Sequence, residues 1–172
     1  MFAFLAAWSV SAAAMMLPSA APFVRALAAG GVRAPAVVAG YLAVWSGAGV
    51  TAYGAMAVLD SGALGAGGAL IVAGAYQVSP LKHACLRRCR TPFHFLLHRR
   101  SGFRIGLEYG GTCFACCAGL MLALLVLGMA SVVWMVVAAG VIAAEKLLAA
   151  GPRLAYLSAA VLLVAGCWAV LA

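Results

Sequence analysis

Residues 105–149 read IGLEYGGTCFACCAGLMLALLVLGMASVVWMVVAAGVIAAEKLLA, and only Glu108, Glu145 and Lys146 in this run carry a charge. As one helix the run would measure about 67 Å at ~1.5 Å per residue, about twice a ~30 Å hydrocarbon core. The chain must therefore turn back inside it. The best place is Gly128-Met-Ala-Ser131.

The same ruler divides the rest of the chain. Of its 172 residues 67% are hydrophobic and 8% charged, with 11 basic, 3 acidic and a net charge of +8. A water-soluble domain carries roughly a quarter of its residues charged. This composition excludes both a soluble globular protein and a disordered one. The expected fold is all-α, a polytopic transmembrane helix bundle in a single domain over residues 1–172. At about 20 apolar residues per crossing, about six spans fit: 2–27, 36–59, 65–82, 105–127, 131–148 and 154–171. Pro18 and Pro22 would kink the first span and Pro80 the third. Residues 83–104 read as a basic loop, and the glycine-rich stretch 62–69 as a flexible outer loop.

Charge sets the orientation. Arg25 and Arg33 follow span one. Lys82, Arg87, Arg88, Arg90, Arg99, Arg100 and Arg104 follow span three, and Lys146 and Arg153 follow span five. Every basic residue thus falls on one side, which the positive-inside rule makes cytoplasmic. The expected setting is the bacterial inner membrane, with both termini outside. The basic excess reads as topology, so nucleic acid is not an expected partner and the lipid bilayer is. The start of the chain lacks a basic n-region, and its apolar run is too long for a signal peptide.

Sulphur breaks the apolar pattern. Cys85 and Cys89 form one cluster, and Cys113, Cys116 and Cys117 another. Spacings of three and four put each cluster on one helix face. Gly102, Gly106 and Gly110 lead to Cys113 on that face, a double small-xxx-small run that admits close approach of another helix. Counting the rise from the span ends, Met15 and Met16 reach the depth of Cys113 and Cys117. Pro18 loosens the backbone beside the two methionines. Thiolates with thioethers suit a soft ion, above all Cu(I). Zinc accepts four thiolates but gains nothing from methionine. The candidate metal ligands are Cys85, Cys89, Cys113, Cys116, Cys117, Met15 and Met16. Cysteine and methionine are also ordinary buried packing residues, and Cys167 is assigned that role.

Other features read more plainly. His94 and His98 stand four apart on what would be an interfacial helix, facing headgroups. Glu145 sits at the cytoplasmic end of span five. An ionisable group there is a functional candidate by default, with Lys82 or an arginine of the basic loop as its expected partner. Cys113-x-x-Cys116 has the spacing of a thiol oxidoreductase. No Ser-His-Asp order, paired carboxylates or phosphate loop is present, so nothing in the sequence points to hydrolytic or phosphoryl-transfer chemistry.

The ordered motifs Ala14-Met-Met-Leu-Pro-Ser-Ala-Ala-Pro22, Gly40-Tyr-Leu-Ala-Val-Trp45, Ala75-Tyr-Gln-Val-Ser-Pro-Leu-Lys82, Cys85-Leu-Arg-Arg-Cys-Arg-Thr-Pro92, Gly111-Thr-Cys-Phe-Ala-Cys-Cys117, Trp134-Met135 and Glu145-Lys-Leu147 resemble a prokaryotic family of predicted metal-binding integral membrane proteins. It is a domain-of-unknown-function family also labelled copper chaperones. The resemblance covers about residues 8–150 and implies a metal at the sulphur ligands named above. Family members usually carry Trp after the double cysteine, where this chain has Ala118. They are usually longer, with an extra leading helix.

The expected function is soft-metal binding, with copper as the metal, in delivery, insertion or transport to a membrane or periplasmic acceptor. Two alternatives stand beside it: a non-catalytic structural or assembly subunit of a larger membrane complex, suggested by the glycine run, and a membrane thiol redox protein.

Overall fold

The computed structural model describes residues 2–59, 63–91, 101–128 and 131–171. Among them there are seven helices and no strand: α1 Phe2–Ala29, α2 Ala34–Leu59, α3 Ala63–Gln77, α4 Pro80–Arg90, α5 Gly102–Leu127, α6 Val132–Leu147 and α7 Gly151–Leu171. Four of them, α1, α2, α5 and α7, are long and apolar enough to cross a membrane. Helices α3 and α6, at 15 and 16 residues, are shorter than the ~20 residues a crossing needs.

The turn in the long apolar run lies where its length requires. Helix α5 stops at Leu127, Gly128 takes φ +98°, and α6 starts at Val132. A positive φ is open to glycine without the Cβ clash other residues suffer.

Helix α1 is continuous through Pro18 and Pro22, and elsewhere several local expectations are corrected. Each proline removes one backbone donor, and neither ends the helix. The third expected span is divided, with α3 ending at Gln77 and α4 beginning at Pro80. Proline at the first helical position loses nothing, because that N–H has no intrahelical partner. Ser79 caps the new helix, its hydroxyl accepting from the Lys82 N–H at 3.1 Å. The basic segment read as a loop is therefore helical as far as Arg90, and α5 begins three residues early, at Gly102. His94 and His98 lie outside the described residues.

Glycine sets the helix pairing. Helix α2 lies along α5 and α3 along α7. A Cβ at Gly106 would overlap the carbonyl oxygen of Val37, and one at Gly40 the carbonyl oxygen of Phe103. Gly110 packs on Tyr41 and Val44. The glycine run thus meets α2 of the same chain. Residues 63–69, read as a loop running into the third span at 65, all belong to α3. A Cβ at Gly67 would stand 2.6 Å from Val170 Cγ2, and one at Gly166 2.8 Å from the Gly67 carbonyl. In an apolar solvent helices gain little from hiding apolar side chains, so close backbone approach takes over as the source of attraction.

Aromatic packing completes the α1–α2–α5 wall. Trp8 Nε1 donates to the Trp45 carbonyl at 2.8 Å. Phe23 stacks on Tyr109 with centroids 4.0 Å apart, and Trp45 meets Phe114 edge-on at 5.8 Å.

Gly106→Ala is expected to destabilise the protein by about 1–3 kcal/mol, the usual cost of overpacking. Gly111→Ala, where an added Cβ meets nothing within 4 Å, should stay within about 0.5 kcal/mol of the parent. Thermal denaturation of both variants in detergent measures the contrast.

Candidate metal centre

Helix α5 presents Cys113, Cys116 and Cys117, all buried. Helix α4 brings Cys89 against them, with its Sγ 3.6 Å from Cys116 Sγ. Helix α1 brings Met16, fully buried in the same core cluster. Cys85 and Met15 are half-buried and pack against that cluster. Cys89, Cys113, Cys116, Cys117 and Met16 are linked by direct contacts, Met16 through Lys146, while Cys85 and Met15 are placed only against the wider core. Cys167 is exposed on α7 rather than packed inside.

The fourth contribution comes from α6. Lys146 is buried at 7% exposure and places its Nζ 2.9 Å from Cys113 Sγ and 3.9 Å from Met16 Sδ. Tyr41 on α2 adds its hydroxyl 3.0 Å from Cys113 Sγ. Cys113 Sγ therefore has an ammonium and a phenol as neighbours, an arrangement suited to a thiolate. The other two α5 thiols turn inward along the helix. Cys116 Sγ and Cys117 Sγ donate to the Cys113 carbonyl at 3.1 and 3.0 Å, the bond to the preceding turn that short polar side chains make inside helices.

This resting arrangement is not a coordination cage. Among the described residues no three His, Cys, Asp or Glu side chains are placed to hold a metal ion together. The donor set nevertheless fits a soft metal: an inter-helix thiol pair in Cys89 and Cys116, with Cys113 and Met16 sulphur beside it under Lys146. At Cys85, burial raises the thiol pKa above its ordinary value. Cys116 adds to the rise and Arg88 opposes it.

A second buried group holds Lys146 in place. Glu145, its neighbour in sequence, binds Lys82 Nζ through Oε2 at 2.6 Å. Its Oε1 accepts from Gln77 Nε2 at 3.0 Å and Ser158 Oγ at 3.1 Å. Arg90 Nη1 donates to the Glu145 carbonyl at 2.8 Å. Successive residues on a helix point about 100° apart. Fixing Glu145 toward α3, α4 and α7 therefore aims Lys146 at α1 and α5. Of the two partners expected for Glu145, Lys82 binds the carboxylate and an arginine binds the backbone.

Sequence reasoning missed Lys146, Tyr41, Gln77 and Ser158. Lys146 had a readable signal, since a lysine in an apolar helix marks a functional candidate just as a glutamate does. Its weight went instead to the topology count. Tyr41, Gln77 and Ser158 are single polar residues on three different helices, and nothing in their spacing joins them.

The fold and centre define a class: an all-helical protein with four membrane-length apolar helices and a buried thiol–thioether cluster attended by one lysine. More narrowly, the chain belongs to the PpoB2 family, described as copper chaperone, whose profile matches residues 5–169. No curated protein and no solved structure matches the chain.

Glu145→Ala is expected to cost about 3–5 kcal/mol, because it leaves the Lys82 ammonium buried and unpaired. The double change Lys82→Met with Glu145→Leu should recover most of that loss. Unfolding in detergent, followed by helical circular dichroism, checks both.

Proposed function

We propose that this protein binds Cu(I) as cargo in the bacterial inner membrane and passes it to a membrane or periplasmic acceptor. The observation that carries the reading is the gathering of Cys89, Cys113, Cys116, Cys117 and Met16 from three helices into one buried place. Membership of a family described as copper chaperone supports it. Copper enters as substrate. Cys85 and Cys89 guard the mouth on α4, and Cys113, Cys116 and Cys117 with Met15 and Met16 form the inner site.

Charge sets the thiolate count, and ligand softness the choice of ion. A buried charge must be balanced locally, because the interior screens it poorly. Two thiolates balance the Lys146 ammonium together with one monovalent ion, and three balance it together with a divalent one. The methionine sulphur, a soft ligand, favours Cu(I) over zinc. The proposed topology follows from the basic residues: about six spans, the Arg87–Arg90 segment cytoplasmic and both termini outside.

Purified protein loaded with Cu(I) under reducing conditions is expected to retain the metal, and a Cys113/Cys116/Cys117→Ser triple variant to lose it. Cys89→Ser should weaken binding by more than the ~10-fold that loss of an outer-shell partner costs. Cys167→Ser should change nothing. Full retention by the triple variant overturns the inner site.

A thiol redox role is the second reading. It is favoured by the 3.6 Å approach of Cys89 to Cys116, a pair across two helices rather than the Cys113-x-x-Cys116 spacing. Closing it to a disulfide releases two protons and two electrons to an oxidant such as a quinone. Diamide treatment followed by peptide mapping tests this reading. A Cys89–Cys116 disulfide that forms rapidly and reversibly supports it, and persistently free thiols remove it.

A further inference from the structure

Helices α4 and α7 meet at a cleft of about 420 Å³ that has no part in the sulphur site. Its lining includes His83, Arg87 and Arg90 from α4 and Tyr156 from α7, with Pro80 and Pro152 at the two helix starts. Among the described residues no carboxylate lines it.

The balance of charge here is unusual for so apolar a chain. Glu145, the buried acid nearest in the network, is already bound by Lys82, Gln77 and Ser158. Among the described residues Arg90 reaches the carbonyl oxygens of Glu145 and Leu148. Among the described residues no carboxylate pairs with Arg87 or Arg90. His83 stacks on Tyr156 with centroids 5.0 Å apart, and its Nε2 is buried without a hydrogen-bond partner. Two guanidinium groups and an imidazole nitrogen thus share one cleft, with no carboxylate among the described residues to pair with them.

The surroundings are apolar. Val78 and Tyr156, both exposed, line the cleft together with Pro80 and Pro152. A cationic base with an apolar rim matches an amphiphile whose head is anionic. Guanidinium groups bind phosphate oxygens in a planar, two-pronged way that suits them to this role. Basic pockets between helices at the cytoplasmic face are where lipid phosphates are recognised.

We propose that the α4–α7 cleft binds a phosphate group, supplied by the head of an anionic phospholipid. Arg87 and Arg90 hold the phosphate oxygens, and His83 Nε2 donates the third hydrogen bond. The acyl chains lie along the apolar rim. The site is independent of copper and of the sulphur cluster. Occupancy would hold α4, which carries Cys85 and Cys89, against α7.

The test uses the full-length protein in detergent, with no metal added. Phosphatidylglycerol, phosphatidylcholine and inorganic phosphate are titrated separately, and bound lipid is read by native mass spectrometry. Phosphatidylglycerol is expected to bind in preference to phosphatidylcholine. Arg87→Gln, at an exposed position that leaves the core untouched, should weaken it about fivefold, the usual worth of one basic residue near an anionic lipid surface. Arg25→Gln, exposed on α1 away from the cleft, should leave it unchanged. Arg87-dependent binding of inorganic phosphate with no preference among lipids keeps the phosphate site and assigns it to a free anion. Equal binding of the two lipids with no phosphate binding, or phosphatidylglycerol binding unaltered by Arg87→Gln, overturns the proposal.

Discussion

The ion pair between Lys82 and Glu145 is the constraint on which the rest of the structure turns. Both side chains are almost fully buried, at 0% and 2% exposure. Burying two charges is costly, and the cost is recovered only when geometry and further hydrogen bonds are good. Gln77 and Ser158 supply those bonds. The pair joins the start of α4 to the end of α6, and its two hydrogen-bond partners add α3 and α7. Four helices are thereby held in one rotational setting, which apolar packing alone specifies weakly.

That setting decides the chemistry one residue away. With Glu145 turned to one side, Lys146 points to the other, into the sulphur cluster. The adjacent acid and base therefore do different work. One closes a structural network, and the other contacts the sulphur cluster. Their neighbourhood in sequence reads as a local salt bridge, yet each finds its partner elsewhere.

The glycine contacts act at the level below. The α2–α5 and α3–α7 pairs approach so closely that backbone carbonyls fill the space a methyl group would need. The α2–α5 pairing brings Tyr41 to Cys113, and the α3–α7 pairing brings Gln77 to Ser158. Small residues thus place the polar groups that complete both the thiol site and the ion-pair network. The glycine run on α5, which alone suggests a foreign helix, is satisfied inside the chain.

By itself the sequence determined the helical class, the turn at Gly128 and the sulphur residues that would share a depth. These depend on hydropathy, helix length and a fixed rise per residue, which act locally along the chain. It also pointed to Lys82 as a partner of Glu145, because a buried carboxylate requires a cation and few cations are near. It misjudged residues 83–90, where arginine composition suggests a loop, and started the third span two residues late, in a glycine-rich stretch. Ser79 with Pro80 starts a helix before the former, and Gly67 in the latter packs on α7. Only the tertiary structure decided that Lys146 attends Cys113, that Cys89 of α4 faces Cys116 of α5, and that Tyr41 closes the group. Those contacts join residues 27 to 72 positions apart. They depend on the rotation of each helix about its own axis, which is set by inter-helix packing and one buried ion pair rather than by any local pattern.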